Sequence, residues 1–198
     1  MRHNMFQHSL SLVWLFVVIA PMAVSGTPPR NSGEPQSQSS VPAESREKIE
    51  KLLVVIRDAK LRESDPGRVV EAIEELGHVK AVEAIDDLVK LLTFRRTWPW
   101  ETPGGPIQEF RIETPGLRYP AVSALIEIGQ PSVPAMVKVI EAHESSSLES
   151  QNALWVIRSL FQYNGKEGID YLKEAAKHSS SPRGAQRLTD AADKLPVR

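Results

Sequence analysis

The phrase Val70-Glu71-Ala72-Ile73-Glu74-Glu75-Leu76-Gly77 returns 52 residues later as Val122-Ser123-Ala124-Leu125-Ile126-Glu127-Ile128-Gly129. Each copy places apolar side chains three and four apart, the spacing that lines one face of an α-helix, and each ends in glycine. Each is followed at once by a second stretch of the same period. A helical pair cannot bury its apolar stripe alone, so self-similar pairs stack on one another. An all-α fold is expected, an α-α superhelix of about eight helices whose first and last members act as caps. Such stacks work by presenting a surface to a partner, and the repeat alone does not say which partner.

The helices can be placed along the chain. Ile49, Leu52, Leu53 and Ile56 predict one running from Pro42 to Arg62. Asp65-Pro66 restarts the chain as an N-cap followed by a first-turn proline. The helix that follows buries Val69, Val70, Ile73 and Leu76, and Gly77 stands where a left-handed residue would end it. Its partner uses Val82, Ile85, Leu88, Val89 and Leu92. In the second pair Val122, Leu125 and Ile126 face inward, and Val133, Met136, Val137 and Ile140 line the return helix. Pro131 and Pro134 are tolerated there because first-turn amides have no intrahelical acceptor. A third, divergent pair opens on the candidate capping box Ser146-Ser147-Leu148-Glu149. Leu154, Trp155, Ile157, Leu160 and Phe161 give it a thick apolar face, and Ile169, Leu172, Ala175 and Ala176 line its return helix. Ser181-Pro182 begins a last amphipathic helix with Ala185, Leu188, Ala191, Ala192 and Leu195.

Outside the repeats the composition changes. Residues 1–25 carry Arg2, an apolar run from Leu10 to Ala20 and small residues at Ala23 and Ser25, the pattern of a secretory signal peptide cut before Gly26. The run is short of the roughly 20 residues a membrane-spanning helix needs. Export to the periplasm or the medium is therefore expected, with membrane attachment only if the segment is retained as an anchor. Residues 26–43, rich in proline, serine and glutamine, read as a disordered linker, and residues 44–198 as the helical domain. Losing Arg2 leaves 23 basic against 25 acidic side chains, which gives no footprint for a nucleic-acid partner. With no cysteine in the chain, stability must come from packing without disulfides.

The second copy and its flanks, Arg118-Tyr119-Pro120-Ala121-Val122-Ser123-Ala124-Leu125-Ile126-Glu127-Ile128-Gly129-Gln130-Pro131-Ser132-Val133-Pro134, resemble a HEAT repeat, in particular the short HEAT-like repeat also found in bilin lyases. The match lies in an arginine, then Ala-x-x-Ala-Leu, then Ile-Gly, then a proline-containing turn and Val-Pro. The first copy keeps Ala72-Ile73 and Leu76-Gly77, with His78 and Gln130 standing where many members of the family place aspartate. The resemblance covers roughly residues 66–178. It implies a HEAT-like solenoid, a fold that serves many unrelated partners.

One segment interrupts the repeats. Thr93 to Leu117 is far longer than the two to eight residues typical between packed helices, and without it the two copies would sit at a short-repeat spacing. Phe94–Trp98 and Ile107–Ile112 have extended character about the turn Pro103-Gly104-Gly105-Pro106, which predicts a β-hairpin insertion at 94–117. Arg95, Arg96, Trp98, Trp100, Phe110 and Arg111 concentrate there the residue types most enriched at interface hot spots. Two readings stay open: the insertion recognises a protein, peptide or glycan, or it folds back over the repeats.

Nothing nominates catalysis. His78, His143 and His178 lack the i, i+4 spacing of a helical metal pair. Adjacent acids such as Glu74-Glu75 and Asp86-Asp87 point to different sides of their helices. No nucleophile elbow or phosphate loop occurs. The expectation is a non-enzymatic interaction or scaffold protein of the cell envelope, without cofactor or metal. An envelope enzyme or lyase-like subunit, or a glycan- or peptide-binding module, stands as the alternative.

Overall fold

The computed structural model describes residues 43–97 and 114–196. Residues 1–42, which hold the expected leader and nearly all of the expected linker, and Trp98 to Glu113 lie outside the described residues, and with them most of the expected hairpin. Every regular element among the described residues is helical. They all belong to one unit, Val41–Arg198.

Helix α1 spans Ala43–Arg57, where a single helix to Arg62 was expected. The break falls at Asp58, whose extended backbone lets its carboxylate accept the amides of Lys60 (2.8 Å) and Leu61 (3.2 Å), capping α2, Ala59–Ser64. Arg62 donates to the carbonyl of Ile56 at 2.9 Å and so satisfies the end of α1. Asp65 then caps α3, Pro66–His78, with Pro66 in its first turn. Val82–Ala84 forms a 3₁₀ turn leading into α4, Ile85–Lys90. Val82 is exposed, contrary to the sequence expectation, and Ala81 and Ala84 are buried in its place.

Chain tracing resumes with α5, Pro115–Arg118, a helical turn inside the segment read as hairpin. Phe94–Thr97, at the other end of that segment, has no regular structure. α6 is Pro120–Ile128, and a 3₁₀ turn, Gln130–Ser132, joins it to α7, Val133–Ala142. α8 is Leu148–Leu160, α9 Gly165–Lys177 and α10 Pro182–Asp193. The expected capping box is displaced by one residue, since Ser147 rather than Ser146 caps α8, through the amide of Ser150 at 3.2 Å. Ten helices thus stand among the described residues where eight were expected. The split at Asp58 and the turn α5 account for the difference.

The two copies of the repeated phrase, α3 and α6, pack directly on each other, α1 packs on α3, and α8 on α6. On the other side α4 meets α7, and α7 meets α10, which lies along α9. The core runs without interruption from Ile56 and Ile73 through Leu88, Leu125 and Met136 to Ile157, Leu172 and Leu188, each fully buried. Ile126, expected inward with Leu125, is only half-buried against this core.

The two repeat glycines do different work. Gly77 lies inside α3, and a Cβ there would stand 2.6 Å from the Cα of Ala124, so glycine is needed for the close approach of α3 and α6. The left-handed residue expected at Gly77 is instead Lys80, at φ +53°. Ala81 N–H donates to Leu76 C=O and Lys80 N–H to Gly77 C=O, the paired bonds of a Schellman end. Gly129, at φ +88° and ψ −146°, does end its helix, in a region that side chains other than glycine's avoid. Below it the fully buried Ser132 donates to the carbonyls of Leu125 (3.0 Å) and Gly129 (2.7 Å).

Candidate functional site

Of the six residues nominated in the insertion, the structure places two. Arg95 is exposed. Arg96 is half-buried, its guanidinium bonded to Glu74 of α3 and its backbone N–H donating to the carbonyl of Arg118 at 2.9 Å. That bond fastens the departing end of the segment to its returning end, so Arg96 is a clasp at the base of the insertion. Trp98, Trp100, Phe110 and Arg111 lie outside the described residues. Phe94 packs half-buried against the core.

Beside Phe94 is a cleft of about 430 Å³ between α1 and α4, bordered by Arg57, Arg62, Asp87 and Lys90. Three of its charged groups are joined through one carboxylate. Arg57 Nε and Nη2 donate to Asp87 Oδ2 at 3.0 and 2.7 Å, and Lys90 Nζ donates to Oδ1 at 2.9 Å. The hydrogen bond from Arg57 holds the Asp87 carboxyl below the ordinary aspartate range, against its partial burial, with Lys90 adding to the effect. The trio clamps α1 to α4.

A different surface collects side chains with capacity to spare. Trp155, expected in the core of the third pair, is half-buried and borders three adjoining clefts. The first, about 410 Å³, lies toward Pro115, Arg118, Tyr119 and Leu148. The second, about 350 Å³, lies toward Ser145, Gln151, Arg187 and Lys194. The third, about 240 Å³, lies toward Ser159, Gln162, Tyr163 and Pro196. Leu148, Gln151, Trp155, Arg158, Ser159 and Gln162 recur at steps of three and four, so they form one stripe along α8 and the turn after it.

Local sequence explains why this stripe is open. α8 packs on α6 and α7 through Ala153, Val156 and Ile157. Asn152, 2% exposed, donates to the carbonyl of Leu92 at 2.7 Å and locks α8 to the end of the first repeat. α10, not α9, takes the place against α7, and among the described residues no helix packs along the Trp155 side of α8. Arg187 on α10 donates to the carbonyls of Glu141 (2.9 Å) and Ala142 (3.2 Å) and pairs with Glu144, closing the end of α7 and forming the far wall. Arg158 stacks over the Trp155 ring at 5.9 Å from its centroid. Neither the Arg158 guanidinium nor the Lys194 ammonium has a hydrogen bond or ion pair among the described residues.

Among the described residues the three clefts are lined by Arg118, Arg158, Arg187 and Lys194 and by no aspartate or glutamate. In a chain with 25 acidic and 24 basic side chains this is a local segregation of charge. Sequence reasoning missed it because Arg118, Arg158, Arg187 and Lys194 are scattered over 77 positions and meet only when α8 and α10 close around α7. Among the described residues no group of three or more histidine, aspartate or glutamate side chains is placed to hold a metal ion. No described helix is long and apolar enough to cross a membrane. No protein-family model, curated protein or solved structure matches the chain.

Proposed function

We propose that this chain is an exported, non-enzymatic HEAT-like repeat protein that binds a protein partner, with its stacked helical pairs as scaffold and the Trp155 side of α8 as the contact surface. The observation that carries this reading is the direct stacking of α3 on α6, the two copies of one phrase, through a glycine that only close helix packing requires. The helical pairs α3–α4 and α6–α7 follow one another as units of a superhelix would, with α1 and α10 as caps. A continuous core makes the surface rigid, so binding pays little for reorganisation. Export rests on the leader-like residues 1–25 and predicts a mature protein that begins at Gly26.

The test is affinity capture from envelope extracts with the mature protein, beside two variants. One replaces residues 98–113 by a short glycine linker, preserving the Arg96–Arg118 clasp; the other is Arg158→Glu. Specific prey retained by the first variant and lost from the second is the expected result. Absence of any specific prey would overturn the interaction role, and loss only with the first variant would move the contact to the insertion. Amino-terminal sequencing of the exported protein checks the Gly26 start.

A further inference from the structure

We propose that the Trp155 track takes an extended acidic peptide segment of its partner, which rests on the reading of α8 as the contact surface. Length, charge and chemistry agree on this occupant. The 13 residues of α8 span about 20 Å at 1.5 Å each. About six residues of extended chain, at roughly 3.3–3.6 Å each, cover the same distance. Among the described residues four basic side chains and no acid border the clefts along that line, and Arg158 and Lys194 are the two without an ion pair. Such a surface attracts carboxylates and repels basic segments.

The individual groups divide the work. Arg118 and Arg187 are held by other parts of the protein, Arg187 by the end of α7 and by Glu144, and they border the track. Arg158 and Lys194 have their donors available, and arginine offers a fork that matches a carboxylate bidentately. The Trp155 face under Arg158 and the exposed Leu148 and Tyr163 toward either end supply apolar contact for alternate peptide side chains. Gln151, exposed near the start of the stripe, donates its amide to the Ser146 carbonyl at 2.8 Å and leaves its side-chain oxygen to accept from a peptide N–H. Glu144 pairs with Arg187, and Asp190 accepts the Gln186 amide at 2.7 Å.

The experiment is fluorescence anisotropy of the mature protein with a labelled octapeptide of alternating glutamate and leucine, and with its lysine-for-glutamate counterpart. Saturable binding of the glutamate peptide alone is expected, weakening as salt rises. Arg158→Glu and Lys194→Glu should each weaken it about tenfold or more, and the double variant should no longer prefer the glutamate peptide. Both side chains are exposed, so an unchanged circular dichroism spectrum and melting temperature confirm that the variants are folded. Equal binding of both peptides, binding unaffected by either reversal, or no saturation up to about 1 mM peptide would each overturn the proposal. Sedimentation showing a dimer that Arg158→Glu dissociates would overturn it in favour of a second copy of the chain. A peptide that fails to bind while Arg158→Glu still strips prey in the capture experiment removes the acidic occupant and leaves the interaction role standing.

Discussion

Gly77 and Gly129 occupy the same place in the repeated phrase, yet they answer to different forces. Gly129 is conformational, held at φ +88° with open space where a side chain would lie. Gly77 is steric, because a methyl group would meet the backbone of Ala124. Gly77→Ala is expected to lower stability by about 1–3 kcal/mol through overpacking between α3 and α6. Lys80→Gly, three residues on, should raise stability by about 0.5–1 kcal/mol by relieving a left-handed lysine. Urea unfolding of the two variants checks both signs. A glycine at a helix end is legible in sequence as a stop signal, but the choice between a backbone angle and a neighbour's approach is set by the partner helix. The stop signal therefore holds at Gly129, whereas at Gly77 the helix continues and turns at Lys80.

At the scale of elements, apolar periodicity predicted the buried faces of α3, α7 and α10 nearly residue for residue, since burial there follows a single helical stripe. Breaks and exceptions came from polar side chains acting locally. Asp58 divides what periodicity alone reads as one helix, because it offers two amides an acceptor. The buried Asn152 left no sequence signal, for its acceptor lies 60 positions away. Asn152→Leu should cost about 1–3 kcal/mol in denaturant unfolding, as it strands the Leu92 carbonyl without its donor. The α1–α4 clamp titrates. Asp87 has a lowered folded-state pKa, so its contribution is complete above the unfolded value of about 3.9 and is lost as pH falls through the lower folded value. Asp87→Asn should therefore destabilise the protein at pH 7, and its deficit should shrink below about pH 4, as followed by thermal melts across that range. Added salt should narrow the deficit at pH 7, because Arg57 is largely exposed.

For the whole molecule, the continuous core implies that no helical pair stands by itself. Leu125→Asp, at a fully buried position between repeats, should abolish the cooperative unfolding transition. Ile126→Asp, at a half-buried one, should lower the melting temperature yet leave a folded protein, and calorimetry separates the two outcomes. Repetition made the stacking legible in the sequence; the binding track was not, because it is composed of single residues from helices far apart in the chain. The Trp155 side of α8, along which no described helix packs, is the proposed partner surface. Hydrogen exchange of the mature protein with and without saturating glutamate–leucine octapeptide tests that most directly. Slowed exchange over 148–163 and 187–196, with 43–64 unchanged, is the predicted result. Slowing confined to the base of the insertion at 94–97 and 114–118, or no slowing along α8, would contradict it.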